Sequence, residues 1–424
     1  MKPGDIVSIQ TSTLTYTGTV LPRSSLFDQD IVVLKLENGY NVGIKQSTIT
    51  SVTQHATYEP QQKKKQDIPH NPNLPTVALL SFGGTISSRL DYITGGVVAD
   101  YDAQDFLAMC PELKNVANIQ ATKVAQLMSE DMDSDDWMSM AKTIIPYLNN
   151  KDIAGVVITT GTDTLHYIAA ALSFMLGEVS KPVVMTASQR SIDRGSSDAF
   201  MNLSCAVTTA ARWDGAGVVT CLHATTHDNY CQLIAGTKVR KMHTSRRDAF
   251  RPINSIPFAH VSNDGVITPL QTYPKRHDKQ CEAATYFEKK TALVFVHPGM
   301  DPGIITYYQR NGYKGIVLAA TALGHVPTIK NSLFPAIEQA IQAGVVVVIA
   351  SQTLYGAVHP YVYANLRLLS MQTGCVFVHD MLPETAYVKL GWLLGQKRSD
   401  IKEQLTQNTS AEITTHITDA MYMN

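Results

Sequence analysis

The sequence has few of the features that mark secreted or membrane-bound proteins. Six cysteines, at positions 110, 205, 221, 231, 281 and 375, are spread over 424 residues without any CxxC spacing, which is typical of reduced intracellular thiols. No apolar run approaches the roughly 20 residues that span a bilayer. The start, MKPGDIVSIQ, lacks the apolar core of a signal peptide. We therefore expect a cytoplasmic protein that contacts no membrane.

Net charge is also nearly absent. Lys and Arg total 35 against 36 Asp and Glu, and a near-neutral chain is not expected to bind nucleic acid along a broad basic surface. The patterns GxxxxGK[ST] and GxGxxG do not occur, which excludes the common nucleotide-binding loops. We expect this chain itself to bind no cofactor.

The chain is too long for one ordinary core, and 44% of its residues are hydrophobic, enough to fill several. Residues 1–55 hold short β-rich runs, two of them joined by Asn38-Gly39, a turn typical of hairpins. They predict a small β-barrel. Residues 56–73, rich in Pro, Lys and amides, are interpreted as a linker.

The remainder of the chain alternates apolar strand-like and helix-like segments. Residues 74–275 predict an α/β domain built on a larger doubly wound parallel sheet, and residues 291–424 predict a smaller α/β domain. Residues 276–290, which are rich in charge, are interpreted as a second linker.

The most informative stretch is 153–176, IAGVVITTGTDTLHYIAAALSFML. It predicts a buried parallel strand followed at once by a helix. Thr162, Asp163 and Thr164 would then lie between strand and helix, in the crevice where open α/β sheets bind ligands and where a helix N-terminus favours anions. The plainer alternative is that Asp163 or Thr164 only caps the helix.

Four more polar clusters follow predicted strands or precede predicted helices. They are SFGGTISS at 81–88, SEDM at 129–132, TASQR at 186–190 and GTKVRKMHTS at 236–245. Each alone is explained by a turn or a cap, but five clusters at one edge of one sheet indicate a ligand site. Tyr92 lies in a Gly-containing segment that is a candidate lid.

A metal site is the competing interpretation for one further cluster. Cys221, His223, His227 and Cys231 have the spacing C-x-H-x3-H-x3-C, which is similar to zinc ligation. The usual CxxC pair is missing, and short motifs match often by chance. We expect no metal here.

In this order, FGGTIS, SEDM, TGTDT, TASQR and VRKMHTS resemble the motifs of the L-asparaginase/glutaminase amidohydrolases, over roughly residues 75–394. DYITGGV, SQRSIDRGSSDAFMNL, GTKVRKMHTSRRDAF and LPETAYVKLGWLLG, with the N-terminal β-rich segment, narrow the resemblance to the D-subunit family of archaeal-type glutamyl-tRNA(Gln) amidotransferases.

The resemblance implies roles for residues in each cluster. Thr85 would be the nucleophile, assisted by Tyr92. A second catalytic set would be formed by Thr162, Asp163 and Lys241. Substrate binding would fall to Ser129, Glu130, Asp163, Ser188 and Gln189, with the last two at the amide end. Simple asparaginases often carry Gln where Glu130 stands and another residue where Thr160 stands, so fine specificity does not transfer.

The chemistry of these residue types agrees with the implied roles. A threonine hydroxyl is a poor nucleophile until a neighbour takes its proton, and desolvation lowers the pKa of a lysine enough to make it a base. Lys241 is therefore the candidate base, and Asp163 would orient it or bind the substrate ammonium. Lys238, Arg240, Arg246 and Arg247 are interpreted as solvated or interface charges.

The resemblance implies a glutaminase subunit that supplies ammonia to a partner subunit carrying kinase and transamidase activity. ATP and Mg²⁺ would act on that partner, tRNA(Gln) would bind through the complex, and this chain would form a homodimer. One alternative is a free-standing L-asparaginase, which has no need of the N-terminal segment. A second is a non-catalytic amino-acid-binding scaffold, against which the intact Thr85, Thr162, Asp163 and Lys241 argue.

Overall fold

The computed structural model describes residues 1–21, 30–38, 40–57, 70–84, 86, 88–90, 97–99, 110–192 and 196–422. Its first part is an antiparallel sheet with the order β4-β3-β2-β1-β5. The strands are β1 (Ile6–Thr11), β2 (Thr15–Val20), β3 (Ile31–Leu36), β4 (Asn41–Lys45) and β5 (Ile49–Ala56). Alternate side chains point inward and bury a small core of Val7, Ile9, Val20, Leu34 and Ile44. Strands β3 and β4 pair antiparallel, as a hairpin requires, and Gly39 of the predicted turn between them lies outside the described residues.

The central α/β region follows. Its strands are β6 (Thr76–Gly83), β7 (Ser88–Leu90), β8 (Val97–Ala99), β9 (Asn118–Leu127), β10 (Ile153–Thr159), β11 (Pro182–Thr186), β12 (Gly217–His223), β13 (Tyr230–Ala235), β14 (Val239–Lys241), β15 (Phe250–Pro252), β16 (Ala259–Ser262) and β17 (Ile267–Pro269). Its helices are α1 (Ser134–Asn149), α2 (Leu165–Leu176) and α3 (Ala199–Arg212).

The main sheet of this region has the order β17-β16-β13-β12-β11-β10-β6-β9. The five strands from β12 to β9 are parallel, as predicted. The sheet then continues through three antiparallel strands, β13, β16 and β17, so it is mixed and wider than the parallel sheet expected. Strand β9 escaped prediction because it is a half-exposed edge strand with a mixed polar sequence, NIQATKVAQL.

The C-terminal α/β region has a parallel sheet with the order β18-β19-β20-β21. Its strands are β18 (Thr291–Phe295), β19 (Gly315–Ala320), β20 (Val346–Ser351) and β21 (Val376–Phe377). Its helices are α4 (Gly303–Arg310), α5 (Phe334–Gln342), α6 (Ala364–Arg367), α7 (Pro383–Gly395) and α8 (Ile401–Thr406).

Helix α7 joins the two α/β regions by packing on α2. Trp392 of α7 stacks on Phe174 of α2 with 5.6 Å between ring centroids. Behind them, Lys389 pairs with Glu412 at 2.5 Å, both fully buried. Within the described ranges, every helix is too short or too polar to cross a membrane.

Candidate active site

Four of the five polar clusters lie at the carboxyl ends of four neighbouring parallel strands, β9, β6, β10 and β11. Ser81 of β6 is in register with Thr159 of β10, which is in register with Thr186 of β11. The described residues of the clusters at 129–132, 81–88, 160–164 and 186–190 therefore meet at one edge of the sheet, as the sequence predicts.

Two glycines let the loop after β6 pass between its neighbours. Gly83 and Gly84 both have positive φ, 112° and 86°. A Cβ on Gly83 would lie 2.5 Å from the Leu127 carbonyl oxygen, and a Cβ on Gly84 would lie 2.4 Å from that of Thr160. Only glycine permits this approach, so the GGT motif reflects packing against the TGTDT loop.

Lys241 reaches the TGTDT loop from outside the main sheet. Its Nζ donates hydrogen bonds to Thr162 Oγ1 at 2.9 Å and to Asp163 Oδ1 at 2.6 Å. The Thr162 hydroxyl lies 3.3 Å from the same carboxylate oxygen. The structure thus brings Lys241 to two predicted site residues, Thr162 and Asp163, that lie 79 and 78 positions earlier in the chain.

The helix-cap alternative is wrong for both residues it concerns. The start of α2 has no side-chain cap. The Thr164 hydroxyl donates instead to the Ser129 carbonyl oxygen at 2.5 Å. The Asp163 carboxylate accepts a hydrogen bond from Lys241 Nζ. Ser129 is buried beneath this loop, and a Cβ on Gly161 would lie 2.5 Å from its Oγ. Glu130, the next residue, is exposed.

The charges at this site are unequally exposed. The Lys241 side chain is 10% exposed and that of Asp163 is 63% exposed. The hydrogen bond from Lys241 holds the pKa of Asp163 below its ordinary value. Asp163 is therefore a carboxylate at neutral pH, open to solvent on one side and fixed by a lysine on the other.

His166 follows in the first turn of α2, and the sequence argument did not single it out. Desolvation, with the positive charges of Arg240 and Lys241 in second place, lowers the pKa of its imidazole to about 3. Its buried Nδ1 has no hydrogen-bond partner among the residues described. The imidazole is neutral near pH 7 and adds no third positive charge beside Lys241.

The loop after β11 is fixed from below by α3. The Asp198 carboxylate accepts hydrogen bonds from the backbone N–H groups of Gln189, at 3.0 and 3.1 Å, and Arg190, at 3.1 Å. Asn202 Nδ2 donates to the Ala187 carbonyl at 2.9 Å. Ser188 Oγ and Gln189 Nε2 are buried and, in the described part of the chain, have no partner. Such groups at a crevice mark a place for a polar ligand.

Lys241 lies on a separate hairpin, β14–β15, and not at an end of the main sheet as expected. Its basic neighbours, interpreted from the sequence as solvated or interface charges, each have an acidic partner in the structure. Lys238 is buried and pairs with Asp380, and Arg240 pairs with Glu384 at the start of α7. Arg246 binds Asp248 through two contacts of 2.8 Å, and Arg247 pairs with Asp228.

The remaining sequence-based candidates fall in two groups. Thr85 and Tyr92 lie outside the described residues, although Gly84 and Ile86 are within them. Of the candidate metal cluster, His223 is fully buried, with Asn202 Oδ1 at 2.6 Å from its Nδ1 and Asp228 Oδ1 at 2.9 Å from its Nε2, whereas His227 is exposed. The described residues contain no group of three or more His, Cys, Asp or Glu that could hold a metal ion.

Sequence reasoning did not single out Asp198, Asn202 or Glu384, which support the site, and it considered His223 only as a metal ligand. Asp198 and Asn202 are four apart at the start of an otherwise apolar helix, a spacing that places two buried polar groups on one face. That pattern is visible in the sequence. The partners of Glu384 are not, because they belong to another region of the chain.

Family models match three parts of the chain. A "GatD N-terminal domain" matches residues 1–53, "Asparaginase, N-terminal" matches 76–272, and a "Glutaminase/Asparaginase C-terminal domain" matches 290–405. Among solved structures, the thermostable L-asparaginase from Thermococcus kodakarensis is similar, with a TM-score of 0.73 and 28% identity over 80% of this chain and 100% of that one.

Curated relatives match almost the whole chain. The D subunit of glutamyl-tRNA(Gln) amidotransferase from Thermococcus kodakarensis is 44% identical over 95% of this chain and 91% of its own length. The D subunit from Pyrococcus furiosus is 45% identical over 94% of this chain and 91% of its own length. The D subunit from Methanothermobacter thermautotrophicus is 42% identical over 97% of this chain and 93% of its own length. With the asparaginase-like fold and the five motifs that it carries, the chain belongs to the D-subunit family of glutamyl-tRNA(Gln) amidotransferases, within the asparaginase-type amidohydrolases.

Proposed function

We propose that this chain is the glutaminase subunit of a tRNA-dependent amidotransferase. It hydrolyses glutamine to glutamate and passes the ammonia to a partner subunit, which activates glutamyl-tRNA(Gln) with ATP and Mg²⁺ and aminates it. The chain itself works in the cytoplasm, as a homodimer, and reaches tRNA(Gln) only through the complex. The names of the curated relatives support the assignment to such an assembly.

The contact of Lys241 Nζ with Thr162 Oγ1 and Asp163 Oδ1 is the observation that carries this proposal. A structural role for Lys241 would favour a buried, fully enclosed pair, whereas Asp163 faces solvent. A hydroxyl, an amine and a carboxylate within hydrogen-bond reach of one another can accept and pass on a proton, which is what the activation of a nucleophile or a water requires.

The proposed reaction has two covalent steps. The Thr85 hydroxyl oxygen bonds to the amide carbon of glutamine as its proton leaves toward the base set, and the resulting oxyanion is held by backbone N–H groups near Thr85 and Thr162. The C–N bond then breaks and ammonia departs with that proton. Water attacks the ester through Thr162, Asp163 and Lys241, which releases glutamate and restores Thr85.

The charged groups of the substrate are bound by groups of opposite charge or by hydrogen-bond donors around Lys241 and Asp163. Asp163 binds the α-ammonium through its exposed carboxylate oxygen, and the Ser129 region binds the α-carboxylate near the N-terminus of α2. Ser188 and Gln189 supply the polar groups at the amide end, which supports their placement there because both are buried without a partner within the described ranges.

The experiment that tests the proposal measures ammonia release from glutamine by the full chain and by Thr85→Ala. Mass spectrometry of the quenched wild-type reaction locates any acyl-threonine. We expect loss of turnover in the folded Thr85→Ala protein and an acyl adduct on Thr85 in the wild type. Wild-type turnover in folded Thr85→Ala, or an adduct confined to Thr162, would contradict the assignment.

A further inference from the structure

A buried polar network lies behind the candidate site and joins its two halves. It runs from the loop at 187–190, through Asp198 and Asn202 of α3, to His223 at the end of β12. Asp198, Asn202 and His223 are each 1% exposed or less. Buried polar groups of this kind are costly unless they are fully paired, so their arrangement is strongly specified.

Asn202 is the junction of this network. Its Nδ2 donates to the Ala187 carbonyl at 2.9 Å and to Asp198 Oδ2 at 3.3 Å. Its Oδ1 accepts the backbone N–H of His223 at 2.9 Å and faces His223 Nδ1 at 2.6 Å. Both amide hydrogens and both oxygen lone pairs are used, so the side chain has no alternative orientation that satisfies its neighbours.

These contacts determine which ring nitrogen of His223 carries a hydrogen. Since Asn202 Oδ1 can only accept, His223 Nδ1 carries the hydrogen. His223 Nε2 lies 3.0 Å from Arg247 Nη2, a donor, and 2.9 Å from Asp228 Oδ1. Burial lowers the pKa of His223, against the opposing effect of the Asp228 carboxylate, so the neutral ring accepts from Arg247 through Nε2.

Arg247 connects this network to the hairpin that carries Lys241. It lies in the loop between β14 and β15, donates to the Thr226 carbonyl at 3.1 Å and pairs with Asp228. Arg251 of β15 donates to the Ala224 carbonyl at 2.8 Å. The β14–β15 hairpin is thereby attached to the segment 223–228, which Asn202 attaches to the Ser188–Gln189 loop.

We propose that Asn202 and His223 are positioning residues that hold the Ser188–Gln189 loop and the Lys241 hairpin in one fixed relation. The loop receives the amide end of the substrate and the hairpin supplies the base, so their separation sets how the scissile bond meets the catalytic groups. The inference rests on the proposed function, because it takes Ser188, Gln189 and Lys241 as parts of a glutaminase site.

The test compares kcat, KM and the thermal midpoint of the full chain with those of Asn202→Ala and His223→Ala. The matched control is Thr209→Val, which removes another buried hydrogen bond of α3, from Thr209 Oγ1 to the Cys205 carbonyl at 2.7 Å. We expect kcat/KM for glutamine to fall at least about tenfold in both network variants, with a raised KM, since small displacements of reacting groups are costly. The control should lose stability but keep kcat and KM within about twofold.

A conservative variant separates positioning from bulk stability. His223→Asn retains a donor near the Nδ1 position for Asn202 and loses the contact with Arg247, so KM should recover most of the way while kcat stays reduced. Arg247→Gln acts at the partly exposed end of the network, where its side chain is 17% exposed. It keeps the test decisive if Asn202→Ala fails to fold, and it should lower kcat about threefold at an unchanged thermal midpoint.

The outcomes distinguish the two levels of the account. In one outcome the wild-type chain releases ammonia, but a folded network variant, Asn202→Ala, His223→Ala or Arg247→Gln, has the same kcat and KM as Thr209→Val. That outcome overturns the positioning inference alone. A wild-type chain that releases no ammonia from glutamine, with or without its partner, overturns the proposed function and the inference with it.

Discussion

Two lysine–aspartate pairs, with their lysines three residues apart on one segment, show how the same chemistry serves different ends. Lys238 and Asp380 are 1% and 0% exposed, whereas Lys241 and Asp163 are 10% and 63% exposed. Desolvation lowers the pKa of Lys238, although Asp380 opposes that shift. The enclosed pair joins two regions of the fold, and the open pair leaves the Asp163 carboxylate largely exposed to solvent.

The alternation of side chains along β14 contributes to the division, because neighbouring residues of a strand point to opposite faces. Lys238, in the turn before β14, and Arg240, within β14, both pair with acids of the C-terminal α/β region, Asp380 and Glu384. Lys241 projects from the other face toward Thr162. One face therefore anchors the segment, and the other presents the candidate base.

The largest expected effect comes from the open pair. Lys241→Met keeps the aliphatic stem and removes the ammonium, so we expect kcat for glutamine hydrolysis to fall about a hundredfold or more, the scale of a lost proton-transfer group. Thermal unfolding should shift little, because an exposed ion pair contributes little to stability. Near-wild-type turnover in this variant would show that the open pair does not serve catalysis.

The enclosed pair should respond in the opposite way. Lys238→Met leaves the Asp380 carboxylate buried without its partner, which costs about 3–5 kcal/mol of unfolding free energy. Urea unfolding measures this loss, and the fraction that stays folded should keep its turnover. Wild-type stability combined with a large loss of kcat would reverse the roles of the two lysines.

A smaller effect on kcat is expected from the ion pair between Arg240 and Glu384. Glu384 is buried, and its pairing with Arg240 secures the residue next to Lys241. In Glu384→Gln, the weaker hold on Arg240 should lower kcat about threefold. The control is Glu338→Gln, on α5 of the same region. Equal kcat in the two variants would show that the C-terminal α/β region does not help to place Lys241.

The smallest effect concerns the charge of Asp163. Its pKa in the folded chain lies below its unfolded value, so its contribution to stability is present above the unfolded pKa of about 3.9 and is lost as the pH falls through the folded value. The contribution is small because the carboxylate is mostly exposed. In Lys241→Met the pKa of Asp163 should rise, which carboxyl NMR titration detects. An unchanged value would mean that Lys241 does not act on it.

Much of the site could be predicted because its signals are local. The strand–TGTDT–helix pattern identifies a crevice within a single short stretch, and the order of parallel strands brings three of the other four clusters to the same edge. These features depend on neighbours in sequence or on the general geometry of parallel sheets.

The unpredicted features all depend on distant partners. Nothing near Lys238 in the sequence shows that its partner is 142 residues away, and a charged run is usually solvated. The mixed sheet and the hairpin origin of Lys241 arise in the same way, because the antiparallel strands β13, β16 and β17 and the short strands β14 and β15 are defined by the strands they pair with. The sequence does show that Asn202 is a polar residue four positions after Asp198. Its role as the junction of the network depends on its contacts with His223, which the sequence does not show.

The most direct test of the central claim measures ammonia release from glutamine and from asparagine by the full chain, alone and with its partner subunit and glutamyl-tRNA(Gln). The account predicts weak release by the chain alone and marked stimulation with glutamine when both additions are present, because a bound partner shifts the site toward the state it binds better. Full-rate hydrolysis of asparagine that does not depend on the partner would contradict it and identify a free-standing asparaginase.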